Sequence, residues 1–241
     1  MKLKLAVLLS SLVLPAAVMA QAKAPEPDYT LSYNIGLVSD YRYRGISQSR
    51  LRPALQGGVD FSHKSGFYLG TWASTIKWIK DAGGDSNVEV DVYGGYKRTL
   101  GAFGVDVGVL RYLYPNSSLG LNPDTTEVYA AGTWGPATLK YSHAVTNLFG
   151  FPDSKNSYYL DLNATFDVGN GFSVVPHIGY QKVRRNDAFS YTDYSLTLAR
   201  DFGNGLSASA ALVDTDSNAY VAPNGKNLGR AGVVLGLKYS F

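Results

Sequence analysis

From Tyr29 to Phe241 the sequence falls into about twelve stretches, each roughly 9–12 residues, in which apolar and polar side chains alternate. Short and long connections join them in strict turn. The approximate spans are 29–39, 52–62, 67–76, 88–97, 102–112, 126–134, 137–146, 157–167, 172–181, 191–201, 205–213 and 229–241. Side chains alternate across a strand, so each stretch has one apolar and one polar face. The second, fourth, sixth, eighth and tenth stretches end in tight turns such as His63-Lys64-Ser65-Gly66, Gly135-Pro136 and Phe202-Gly203-Asn204. These carry the Gly, Asn and Pro that hairpins demand. After the odd-numbered stretches the connections are longer and polar, roughly 40–51, 77–87, 113–125, 147–156, 182–190 and 214–228. Segment length and this bookkeeping of loops predict an all-β fold: a transmembrane antiparallel up-and-down β-barrel of about twelve strands, spanning 29–241, with short periplasmic turns and longer extracellular loops.

Aromatic residues fall at one level of that barrel. Tyr29, Phe61, Phe67, Tyr96, Phe103, Trp134, Phe166, Phe172, Phe202 and Phe241 all sit at the end where the short turns and both termini lie. Amphipathic rings suit the boundary between bilayer and water, so these ten form the expected periplasmic girdle. The opposite parity is polar at mid-strand, as facing lipid would not allow and a wet lumen would. It includes Asp60, Glu89, Asp91, Asp106, Lys140, Asp161, His177 and Lys238. Two places fit less simply. Pro176 lacks a ladder donor, which predicts a bulge in the ninth stretch, and Thr71 and Trp72 compete for the outer face of the third.

The N-terminus carries an export address. Lys2 and Lys4 precede an apolar run from Leu5 to Val18, and Val18-Met19-Ala20 fits a small-residue cleavage site. Residues 1–20 therefore read as a cleaved signal peptide and 21–28 as a short N-terminal segment; an uncleaved anchor is the competing reading, on a run shorter than a spanning helix needs. The destination is the outer membrane of a Gram-negative cell. Its lipid and lipopolysaccharide, the barrel-assembly machinery and small solutes are the expected partners. The formal net charge is only +3, part of it in the leader, so no basic footprint calls for nucleic acid. There is no Cys and no His-Glu-x-x-His string, and neither metal nor cofactor is expected.

The most distinctive string is Ser39-Asp40-Tyr41-Arg42-Tyr43-Arg44-Gly45-Ile46-Ser47-Gln48-Ser49, in the first long connection. With Val92-Tyr93-Gly94-Gly95-Tyr96, Tyr158-Tyr159-Leu160, Asp193-Tyr194-Ser195-Leu196 and Val213-Asp214-Thr215-Asp216, it resembles the TorF family of proteobacterial porin-like proteins. The resemblance covers essentially the whole exported chain. It implies an outer-membrane barrel with channel activity and supplies no catalytic residues. The terminal Phe241 similarly resembles the assembly signal of bacterial outer-membrane barrels.

A porin-like channel for passive diffusion follows, with Arg42, Arg44, Glu89, Asp91, Asp106, Asp161, His177 and Lys238 lining the pore or its rim. Arg42 and Arg44 have two readings: binding anions in the mouth, or pairing with lumen acids or lipopolysaccharide phosphates. The mid-strand acids favour cations and these arginines favour anions, and the sequence does not rank the two. Loops 113–125 and 214–228 are the expected constrictions. Two alternatives stand beside the channel. One is a lipid-modifying enzyme with His143 on the outer face as base; the other is a closed structural or adhesive barrel acting through its loops. No catalytic site is assigned, and the expectation is that the chain is not an enzyme.

Overall fold

The computed structural model describes residues 27–241, so the predicted signal peptide lies outside the described residues. Twelve antiparallel strands make up the wall: β1 (Tyr29–Val38), β2 (Ala54–His63), β3 (Phe67–Thr75), β4 (Val88–Leu100), β5 (Phe103–Leu113), β6 (Thr125–Trp134), β7 (Ala137–Ala144), β8 (Tyr158–Ala164, resumed as Phe166–Gly169), β9 (Phe172–Lys182), β10 (Tyr191–Gly203), β11 (Leu206–Thr215) and β12 (Gly232–Ser240). Each pairs with its sequence neighbours, and β12 pairs with β1 from Asn34↔Ser240 to Val38↔Gly236, which closes the ring. Closure leaves no strand edge, as a sheet surrounded by lipid requires. Following the paired positions once around the wall returns to β1 about 16 residues further on. For twelve strands that stagger sets a tilt of about 43° and a backbone radius of about 12–13 Å. Such a bore is wider than inward side chains alone can fill.

The short connections hold residues that only a tight turn needs. Asn170 and Asn204 have φ of 53° and 50°, each beside glycines that also have positive φ. These left-handed positions give the hairpin the twist its strands require. Outside, the wall is apolar throughout: Phe67, Leu212 and Val233 are 62%, 59% and 60% exposed. Water would not tolerate so continuous an apolar band.

The ten predicted rings all lie at the turn end, on the outer face. Eight are exposed; Tyr96 is half-covered by Phe67, with centroids 5.1 Å apart, and Phe172 by the Arg200 guanidinium, 4.8 Å from its ring. Phe241 exchanges backbone hydrogen bonds with Tyr33 and stacks on it at 5.7 Å, so the last residue completes the closing pair.

One expectation is corrected. β9 runs unbroken through Pro176, and the interruption falls on its neighbour β8, at Thr165. Asn163↔His177 and Phe166↔Val174 flank the gap, which places the missing proline N–H opposite the break. Thr165 turns its own N–H to the Pro136 carbonyl, 2.9 Å away. In β3 the outer face belongs to Thr71, and Trp72 points inward onto Tyr41.

Candidate functional site

Strand alternation delivers polar side chains to the lumen, and the connection between β1 and β2, residues 39–53, folds in among them. A two-residue hairpin, Arg42–Tyr43 against Ile46–Ser47, forms its tip. Asp40 organises the base: it accepts from Arg42 Nε at 2.6 Å, Ser47 Oγ at 2.5 Å and Ser49 Oγ at 3.1 Å. Arg42 also donates from Nη1 to the carbonyls of Gly45 and Arg230, both at 2.9 Å, which ties the hairpin to the last long loop.

Arg44 crosses the bore. Its Nη2 donates to Glu127 Oε2 on β6 at 2.7 Å and its Nη1 to Gln181 Oε1 on β9 at 2.6 Å. The guanidinium packs 4.2 Å from the Tyr159 ring centroid and 4.7 Å from that of Tyr43. Burial works against its charge, but the facing Glu127 carboxylate overrides it and holds Arg44 well above its ordinary pKa. Gly45 follows with φ +79°; a Cβ there would meet Thr215 Cγ2 at 2.5 Å and Asp193 Cβ at 2.8 Å. Only glycine lets the tip press this close to β10 and β11. Tyr41 anchors the other flank, donating to Glu89 Oε1 at 2.6 Å while Tyr114 donates to Oε2 at 2.7 Å. Burial, reinforced by the Glu89 charge, raises the pKa of both phenols, so they remain donors.

The hairpin roofs a lumen cavity of about 490 Å³ that Asp91, Lys140, Asp161, His177 and Asp193 reach. A second cavity, about 430 Å³, lies against β1, β2 and β12 and includes Lys238. Within the first, His177 Nε2 is 3.0 Å from Asp161 Oδ2, and Tyr159 donates to Asp193 at 3.0 Å. Asp106 accepts from Tyr68 at 2.6 Å nearer the turns. Asp91 is different: it is 8% exposed, and its Oδ1 is buried with no hydrogen-bond partner among the described residues.

All eight residues singled out from the sequence therefore face the lumen or its plug, and the arginines are neutralised within it rather than standing free at the rim. Loop 39–53 is the segment inserted deepest. Of the loops expected to constrict, 214–228 packs onto its Ile46 through Ala222 and Leu228, and 113–125 contributes Tyr114. Glu127, Gln181 and Asp193 escaped the sequence reading. Their signal was inward parity and, for Asp193, a place in one of the quoted strings; the importance of Glu127 and Gln181 comes from Arg44, which is distant in the chain.

His143 does lie on the outer face, bonded to Tyr141 Oη at 3.0 Å and Asn156 Oδ1 at 3.2 Å. Ser142 is buried on the opposite side and lines the lumen cavity, so it does not serve His143 as a nucleophile.

The family model described as "Bacterial protein of unknown function (Gcw_chp)" matches residues 21–241. The chain belongs to this family. No curated protein matches its sequence. Among solved structures it is similar to the KdgM porin, with a TM-score of 0.58, 11% identity, and coverage of 88% of this chain and 98% of that one. It is also similar to the NanC porin, at 0.53, 13%, 88% and 99% in the same order, and to the COG4313 outer membrane channel from Pseudomonas putida F1, at 0.51, 13%, 89% and 96%. At these identities the shared property is the fold: a closed barrel of the kind porins use.

Proposed function

We propose that the chain is an outer-membrane channel that passes small polar solutes by diffusion, with loop 39–53 setting the constriction. The observation that carries this is the pairing of a continuous apolar outer band with a charged bore. The bore holds cavities of about 490 and 430 Å³ beside an inserted hairpin. The TorF-like string supports the same reading, since it is the string that forms the hairpin. The route to the membrane is export on the cleaved leader and insertion by the barrel-assembly machinery, with lipopolysaccharide around the upper wall.

One similar structure is the KdgM porin in complex with disordered oligogalacturonate. Here the bore favours cations instead. Arg42 is neutralised by Asp40 and Arg44 by Glu127, whereas Asp60 and Asp106 accept only from tyrosine hydroxyls and have no ion-pair partner among the described residues. Reconstitution of the purified, heat-modifiable barrel into planar bilayers tests the channel: discrete conductance steps are expected, with a reversal potential of cation-preferring sign under a salt gradient. A folded barrel with neither conductance nor solute uptake into liposomes refutes the proposal.

A further inference from the structure

Above the hairpin, on the loop side, lies a separate chamber of about 170 Å³. Seven of its lining side chains are aromatic rings from different parts of the chain, among them Tyr43, Trp78, Tyr114, Phe149, Tyr191 and Tyr220. Trp78 and Tyr114 meet edge to face with centroids 4.9 Å apart, Tyr43 and Phe149 at 5.5 Å, and Tyr191 and Tyr220 at 5.4 Å. This mutual packing fixes the rings before any solute arrives.

The rings are backed by negative charge. Tyr114 donates to the Glu89 carboxylate at 2.7 Å. Tyr43 bonds Tyr112 at 2.7 Å, and Tyr112 in turn donates to Glu127 at 3.3 Å. A phenol that donates to a carboxylate becomes more electron-rich, and its ring face more attractive to a cation. The nearest buried cation, Arg44, is already committed to Glu127.

We propose that this chamber binds an organic cation of the alkylammonium class. Its methyl groups would contact ring faces and its charge would face the Glu89 carboxylate behind Tyr114, since Glu127 is already paired with Arg44. An anion would meet the wrong potential, and a neutral apolar molecule would use the rings but leave that carboxylate idle. The chamber suits a head group rather than a large solute. The proposal names a solute class for the channel and rests on that reading for its physiological role, but binding is measurable whether or not the barrel conducts.

The test is calorimetric titration of the folded full-length barrel with choline chloride, and in parallel with 3,3-dimethylbutan-1-ol, the neutral molecule of the same shape. Ionic strength is matched with sodium chloride, and tryptophan fluorescence is followed in a Trp72→Phe, Trp134→Phe background so that Trp78 alone reports. Choline is expected to bind about tenfold more tightly than the alcohol. In Glu89→Gln its affinity should fall toward that of the alcohol, whose own affinity should stay unchanged. Tyr114→Leu should weaken both. Equal affinities in the unmodified protein would reduce the chamber to an apolar pocket and overturn the proposal, as would no binding of either; that comparison needs no variant to fold. Choline binding without conductance would instead remove the channel reading and leave the site.

Discussion

Arg44→Met isolates what holds the hairpin in the bore. Methionine keeps much of the length and apolar contact of the side chain while removing both donors and the charge. Glu127, 2% exposed at its side chain, then has no cation facing it. Removing one partner of a buried ion pair costs about 3–5 kcal/mol. Lumen water can reach a carboxylate freed by loop movement, so the lower end of that range is the better expectation. At about 1.4 kcal/mol per factor of ten, the docked-to-released ratio of the hairpin falls by roughly a hundredfold or more. The wall is untouched, because its ladders do not involve Arg44, so heat-modifiability on gels should persist. Single-channel recordings should show larger and noisier steps. Trypsin should nick the folded barrel within loop 39–53, at Arg42 or Arg50, faster than it nicks the parent. Glu127→Met combined with Arg44→Met should recover much of the loss, since replacing both partners leaves no stranded charge. Unchanged conductance and unchanged trypsin resistance in Arg44→Met would refute the claim that this residue pins the constriction.

Three further outcomes follow from the same geometry. Gly45→Val introduces a Cβ against Thr215 and Asp193 at a φ of +79°, and should release the hairpin with the barrel intact, seen as raised conductance at normal heat-modifiability. Asp60→Asn removes a bore carboxylate that accepts only from Tyr93 and should shift the reversal potential toward zero under a salt gradient, whereas Asp91→Asn, at a buried carboxyl with no cation or donor facing its Oδ1, should shift it less. Leu212→Arg on the outer wall should destabilise the barrel by up to about 2–4 kcal/mol in denaturant titration within lipid, while Ser209→Arg, pointing into the bore, should leave stability near the parent and change conductance.

What was legible in the sequence was local. Alternation and turn residues act over a few positions, so the span read as 29–39 is observed as Tyr29–Val38, and 88–97 as Val88–Leu100, the latter extended because β4 pairs with β5 as far as Leu100↔Phe103. Ambiguity arose where the answer belonged to a neighbour. Trp72 turns inward because Tyr41 offers it an edge at 5.4 Å, and Pro176 disturbs β8 rather than its own strand because the missing N–H is owed across the ladder. The hairpin was recognisable as a distinctive string, but its location was not. Asp40, Arg42 and Ser47 look like ordinary loop residues until Arg44 is seen to meet Glu127 and Gln181, 83 and 137 positions away. No periodicity encodes such a contact, since a polar side chain at inward parity reads alike whether it faces water or a guanidinium.

The same contact decides the electrostatic question that composition left open. Arg42 and Arg44 in the loop and four acids at mid-strand would oppose each other in a free bore, and neither side would prevail on numbers alone. The fold places each arginine within 2.7 Å of a carboxylate that also sits in the plug or wall, so their charge is spent on architecture. Asp161 and His177 hold one another in the same way. The groups left without an ion pair include Asp60 and Asp106, which accept only from tyrosine hydroxyls, and Lys140 over the Tyr129 ring at 4.0 Å and Lys97 over Tyr68 at 5.7 Å. A lysine on a ring face has its field softened by that ring. Selectivity therefore depends on which charges in the bore stay without an ion pair, and Asp60 and Asp106 are carboxylates among them.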